Sequence, residues 1–129
     1  MRDYQPHKNN PYWLEATVYK RVLSLVRDYN RMVRDYQEIL HETVSGDGQP
    51  KGGLPGNPVE HKAVRMETLW KDIRAIERAL LMVPEEYRKG VIENICRGGW
   101  PVNIPAHHKT WLYWRQRFLF FVARNEGLV

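Results

Sequence analysis

The chain has 129 residues, of which 43% are hydrophobic, 27% are charged and 12% are aromatic, and its formal net charge is +5 at pH 7. This length and balance predict one globular domain with a modest core. No apolar run is long enough to span a membrane, and the polar N-terminus is not a signal peptide. The single cysteine forms no intrachain disulfide. We therefore expect a cytoplasmic protein.

The first predicted element is a long helix over residues 11–43, within an N-terminal part that spans 1–44. Asn10 before Pro11 is a favourable helix start, and no Gly or Pro interrupts the segment. A heptad spacing predicts that this helix packs along another helix. The sequence leaves open whether that partner is a later helix of the same chain or a second copy in a homodimer. The heptad residues are Val18, Leu25, Met32 and Ile39, with a second series of Val22, Tyr29 and Tyr36.

A loop and a second helix follow. Residues 45–57 hold five Gly and two Pro, which predicts a flexible loop. They lack the spacing of a phosphate-binding loop. Asn57 and Pro58 then start a second helix, and with it a helical part over 58–129.

The third and last helices complete an all-α fold class with three or four principal helices. Pro84 opens the third helix and two glycines at 98–99 end it. Cys96, on this helix, is predicted to be a small buried residue and not a nucleophile. A connector with two prolines, "WPVNIPA" at 100–106, leads to a last helix from about 107 to 125. No segment has the alternation of a strand.

The last helix concentrates both basic and aromatic residues. Residues 97–124 hold five Lys or Arg and no acid. At 100° per residue the helix separates into two faces. The predicted inward face contains Trp111, Trp114, Phe118, Phe121 and Val122. The predicted outward face contains Lys109, Tyr113, Gln116, Arg117, Phe120 and Arg124.

The outward face suits duplex DNA. Lys and Arg neutralise phosphates, Gln pairs with adenine edges, and the start of a helix favours phosphate through its backbone N–H groups. The alternative is that Tyr113 and Phe120 pack on another subunit while the arginines are only solvated. The predicted DNA-binding residues are Arg97, His108, Lys109, Thr110, Tyr113, Gln116, Arg117 and Arg124.

Two segments in the last third of the chain carry a further pattern, "LMVPEEYRKGVIENICRGG" at 81–99 and "HHKTWLYWRQRFLFFVARNEGL" at 107–128. Their helix opening at 84–88, helix start at 109–110 and run at 115–118 resemble the C-terminal part of phage late-gene regulators of the RinA/ArpU type. That part is similar to the region of sigma factors that binds the promoter −35 element. The resemblance implies a transcription regulator in a bacterial host cell, with duplex DNA and RNA polymerase as partners. Because only "WPVNIPA" separates the last two helices, we expect a degenerate helix-turn-helix, with 58–129 as the sigma-like part.

Catalytic and metal-binding patterns are missing from the sequence. The five His form no HxxxH pair and no CxxC motif occurs, so we expect no metal site and no cofactor. Ser24 is predicted in mid-helix and Ser45 in the loop, which are poor settings for a nucleophile. We therefore expect a protein that is not an enzyme. The competing hypothesis is a protein-interaction or phage assembly module whose aromatic C-terminal face is a subunit interface.

Overall fold

A computed structural model of the chain describes residues 8–44 and 58–129, and these contain helices and no strand. The predicted all-α class is confirmed, although the described residues form five helices instead of three or four. The predicted flexible loop at 45–57 lies outside the described residues. The helices are α1 (Ala16–Arg27), α2 (Tyr29–Val44), α3 (Pro58–Leu81), α4 (Glu85–Arg97) and α5 (His108–Asn125).

The first helix begins later than predicted. The Asn10 side-chain oxygen accepts the backbone N–H of Tyr12 at 2.8 Å, and the Asn10 carbonyl accepts that of Trp13 at 3.0 Å. Asn side chains favour turns because they bond the backbone two residues on. These bonds close a turn, and regular helix starts only at Ala16. The predicted start at Pro11 is therefore wrong.

Asp28 divides the helix that the sequence predicts as continuous. It lies between α1 and α2 with φ −92° and ψ 0°. The side chain of Arg31 donates to its carboxylate at 2.6 Å, and this hydrogen bond holds the pKa of Asp28 below its usual value. Only one residue is interposed, and the Met32 N–H still bonds the Asp28 carbonyl at 3.0 Å. The seven-residue spacing of the apolar side chains continues across Asp28, so the heptad pattern does not reveal the break between α1 and α2.

Helices α2 and α3 pair within the chain. Near the start of α2, the Tyr29 hydroxyl donates to Glu77 Oε2 at 2.8 Å. Near its end, Glu42 lies 3.3 Å from the ammonium of Lys62. Because residue numbers rise along α2 as they fall along α3, the two helices are antiparallel. The heptad spacing is compatible with a partner helix in the same chain or in a second copy. In the structure α2 packs on α3 of the same chain and forms a helix hairpin with it.

One apolar cluster draws on all five helices. Helix α5 packs against α1, α3 and α4, so it lies centrally in the fold. The heptad side chains of α1 and α2 are buried or half-buried in the single chain. The α5 members of the cluster are Trp111, Phe118, Leu119, Val122 and Ala123. This packing fixes which face of α5 is left for a partner.

Candidate nucleic-acid interface

Trp111 anchors the start of α5 on α4. Its ring stacks on Trp100 with centroids 5.2 Å apart and meets Tyr87 in a T-shaped contact at 5.1 Å. Gly90 of α4 lies against the same ring, where a Cβ atom would come within 2.6 Å of Trp111 Cη2. Because Gly90 has no side chain, the indole sits directly on α4. This contact fixes where α5 begins relative to the helix before it.

Residues 98–107 join α4 to α5 without helical structure. Gly98 and Gly99 have φ values of 84° and 74°, in the left-handed region that ends helices at low cost for glycine. His107 closes the connector as the N-cap of α5, since its Nδ1 accepts the backbone N–H of Lys109 at 3.1 Å. The last two helices are therefore in contact, and the connector between them contains no third helix.

Helix α5 has two faces, but its buried face is shifted from the predicted one, because Arg115, Leu119 and Ala123 are buried as well. Every side chain predicted to point inward is buried or half-buried. Lys109, Tyr113 and Arg124, on the predicted outward face, are exposed, and the other outward residues are half-buried. The helix contains no Asp or Glu, so the outward face carries positive charge without compensation from within the helix.

Arg115 contributes to the basic excess in the sequence, but it is a core residue, only 2% exposed. Its Nε donates to Asn94 Oδ1 at 3.0 Å, and its Nη1 donates to the Tyr19 hydroxyl at 2.8 Å. These bonds link α5 to α4 and α1. A buried guanidinium needs such partners because an unsatisfied buried charge is very costly. Arg115 is therefore excluded from the surface that could meet DNA.

Tyr12, from the segment before α1, lies on the outward face of α5. Its ring makes T-shaped contacts with Phe120 at 5.3 Å and Phe121 at 6.1 Å. The guanidinium carbon of Arg117 lies 4.2 Å from the Tyr12 ring centroid and 3.2 Å from that of Tyr113. Tyr12 therefore covers the middle of this face. Phe120, predicted to face outward, packs within the chain.

The first half of α5 extends beyond this cover. Lys109 and His108 are exposed in the first turn, and the ring of His108 contacts that of Trp100 at 6.3 Å. Tyr113, one turn on, is 44% exposed. Thr110 and Gln116 are half-buried beside them. The accessible part of the face thus runs from the start of α5, at the positive end of the helix dipole, to Arg117 at the edge of the Tyr12 cover.

Two predicted DNA-binding residues, Arg97 and Arg124, lie outside this accessible stretch. Arg124 is in the last turn of α5, beyond the turn that Tyr12 covers. Arg97 ends α4 next to Cys96, whose sulfur lies 4.0 Å from the Val26 carbonyl at the end of α1. Among the described residues, no hydrogen bond, ion pair or ring contact joins Arg97 to α5. The residues that do come together are His108, Lys109, Thr110, Tyr113, Gln116 and Arg117.

The sequence pattern does not indicate that Tyr12 neighbours the predicted site, or that Tyr19 and Asn94 are partners of Arg115. The first lies in a non-helical turn, and the other two lie on different helices. Each contact joins segments far apart in the chain, and helical periodicity carries information only about neighbours on one element. The one local sign of the burial of Arg115 is its position at the edge of the apolar face of α5.

Other kinds of site find little support in residues 8–44 and 58–129. No helix there is long and apolar enough to cross a membrane, and no three His, Cys, Asp or Glu side chains there could hold a metal ion. Cys96 is exposed, so its predicted burial is wrong. Desolvation of its sulfur nevertheless raises the pKa of the thiol, whereas a reactive cysteine needs a lowered one.

The chain was compared with protein-family models, with curated proteins and with solved structures, and nothing matches it in any of the three. The likeness of its last third to phage regulators therefore stays a resemblance. Its function has to be proposed from its own residues.

Proposed function

We propose that the protein is a phage-type transcription regulator, without catalytic activity, that binds duplex DNA with the first half of α5. One observation carries the proposal. A helix held in the core by Trp111 presents Lys109, Tyr113 and Arg117 on its outward side, with no acidic residue in the helix. The resemblance of the last third to RinA/ArpU-type regulators points in the same direction.

The chemistry of this half-face fits a phosphate backbone. Its ammonium and guanidinium groups would displace counterions from DNA, which supplies most of the salt-dependent affinity. Tyr113 and Thr110 offer hydroxyl donors to phosphate, and Gln116 offers an amide to a base edge. Helix-turn-helix proteins read bases mainly with the N-terminal residues of the recognition helix, and Lys109, Thr110 and Tyr113 lie in that part of α5. Arg97 and Arg124 contribute less in this arrangement.

The test is fluorescence anisotropy with labelled duplex DNA at about 50 and 200 mM salt. Lys109→Ala should weaken binding and reduce the slope of log affinity against log salt by about one unit, because one phosphate contact is lost. Lys62→Ala is the matched control. It removes the same charge from an exposed position on α3, where Lys62 pairs with Glu42, and should leave the slope unchanged.

Two results would count against DNA binding. Wild-type protein that ignores duplex DNA at low salt, or binds it without a salt slope, contradicts the proposal outright. Equal effects of Lys109→Ala and Lys62→Ala would mean that net charge, and not the α5 face, drives association. Selection from a random DNA library would then recover no motif, whereas a sequence-reading regulator yields one.

The competing proposal is a protein-interaction or phage assembly module. Apolar side chains that are exposed on α2 and α3 favour it: Leu40, Val59, Val64 and Trp70. The coverage of Phe120 by Tyr12 speaks against the α5 face as the subunit interface. A large closed oligomer in light scattering that does not bind DNA would favour this module.

Self-association through residues 11–43 and contact with RNA polymerase stay predictions. The heptad side chains that would form a coiled-coil dimer pack within the chain. A homodimer would therefore have to use another surface, such as the exposed apolar residues of α2 and α3. Light scattering at several protein concentrations separates this arrangement from a monomer.

A further inference from the structure

Arg117 contacts two aromatic rings that come from different parts of the chain. Tyr113 lies one turn earlier on α5, and its carbonyl accepts a hydrogen bond from Arg117 Nη1 at 3.4 Å. Tyr12 comes from the turn before α1, and the guanidinium carbon lies 4.2 Å from its ring centroid. Tyr12 is itself fixed by its edge contact with Phe120. The three side chains form one unit, the Tyr12–Arg117–Tyr113 stack.

Stacking changes what a guanidinium can do. A ring over the face of the group attracts the cation and restricts its rotation, while the N–H donors along the planar edge stay directed outward in the plane. Those edge donors match the geometry of phosphate oxygens. Among the described residues, no carboxylate lies within ion-pair distance of Arg117. Its charge is therefore available to an anion from outside the chain.

We infer that Arg117 is a phosphate-binding residue of the interface and that Tyr12 is its positioning residue, so the N-terminal segment belongs to the DNA-binding surface. This inference rests on the proposed function. Without Tyr12 the guanidinium loses one of its two ring contacts, and the side chain regains rotamers that point away from the phosphate. Ordering it again on binding would lower the affinity.

A double-mutant cycle on the full chain tests the positioning role, with labelled duplex DNA as the probe. Tyr12→Leu keeps an apolar side chain but removes the ring, and should weaken DNA binding about three- to fivefold in the wild-type background. In the Arg117→Ala background the same change should have little further effect, because the group that Tyr12 positions is gone. Tyr12→Phe keeps the ring and should bind within about twofold of wild type. Circular dichroism checks that each variant is folded.

The outcomes separate the inference from the proposed function. If Tyr12→Leu weakens binding equally in both backgrounds, Tyr12 acts only on the fold and the inference is overturned. It is also overturned if Tyr12→Leu has no effect while Lys109→Ala still weakens binding, and in that case the proposed function stands. Wild-type protein that shows no salt-dependent DNA binding overturns both.

Discussion

Arg115 and Arg117 are the same residue type two positions apart on one helix, yet their surroundings differ completely. Arg115 is buried and hydrogen-bonds to Asn94 and Tyr19. Arg117 lies on the opposite side of α5, in contact with two tyrosine rings. Two positions correspond to about 200° of rotation around a helix, so neighbouring charges need not share a face. A basic run in a sequence therefore overstates the basic surface of the protein.

The two sites also differ in what their side chains contribute. In the core, the guanidinium has lost its water and depends on fixed acceptors, so its partners are part of the stability of the fold. At the surface, water can replace any partner, and stacking contributes at most about 1 kcal/mol. Arg115 should therefore matter for folding, and Arg117 for binding.

Truncating each arginine should give the largest difference between the two positions. Arg115→Ala should lower the free energy of unfolding by about 3–4 kcal/mol, because it leaves a cavity and removes both the Nε donor to Asn94 Oδ1 and the Nη1 donor to the Tyr19 hydroxyl. Arg117→Ala should lower it by less than about 1 kcal/mol. Urea unfolding of both variants gives the two numbers. Similar losses would show that Arg115 is not a core residue or that the stack of Arg117 is structural.

A second test concerns the packing that sets the position of α5. Gly90→Ala in an unhindered helix would stabilise by about 1 kcal/mol, because alanine is the better helix former. Here the new methyl group would meet the ring of Trp111 and the side chain of Pro101. We therefore expect Gly90→Ala to destabilise the protein, lowering the free energy of unfolding by about 2–3 kcal/mol through overpacking.

Gly99→Ala is the matched control for Gly90→Ala. Its Cβ would meet no atom within 4 Å, and its cost of about 1 kcal/mol comes from a positive φ alone. Thermal unfolding measures stability, and near-ultraviolet circular dichroism reports the stack of Trp100 on Trp111. A stabilised Gly90→Ala protein would mean that Trp111 does not rest on α4 as described.

Features that depend on one helix at a time could be predicted from the sequence. The all-α class, the start of α3 at Pro58 and the two faces of α5 follow from periodicity and helix-end residues. The start of α1 was misplaced because the Asn10 side chain formed a turn in place of a helix cap. The division at Asp28 was missed because it left the heptad spacing intact.

Features that depend on two distant segments could not be predicted. The outward face of α5 was found, but not the fact that Tyr12 covers its middle. Likewise, the position of Phe120 on the outward face of α5 does not show that Tyr12, from another segment, packs on it. The sequence therefore predicts which residues of α5 share its outward face, and which of them are accessible depends on the three-dimensional packing.

Glu126, like Arg115, is a buried charged group, but one of its carboxylate oxygens has no hydrogen-bond partner among the described residues. Its side chain is 8% exposed, and Lys71 lies 3.6 Å from one carboxylate oxygen. The other oxygen is buried and has no hydrogen-bond partner among the described residues. Burial, and then the neighbouring carboxyl of Asp72, raise the pKa of Glu126 to about 7. Arg115 has matched partners in the core, whereas Glu126 is better accommodated when protonated.

The raised pKa makes part of the stability depend on pH. The unfolded chain has a Glu pKa near 4.5, so between that value and about 7 the folded protein binds more protons at this site. The contribution of Glu126 to stability is complete below the unfolded pKa and is lost as pH rises through the folded one, a change on the order of 2 kcal/mol. Glu126→Gln removes this titration, so the wild-type free energy of unfolding should fall relative to the variant across that range. Urea unfolding of both proteins from about pH 4 to 8 measures the difference. Parallel curves would mean that Glu126 ionises freely in the folded protein, despite its burial beside Asp72.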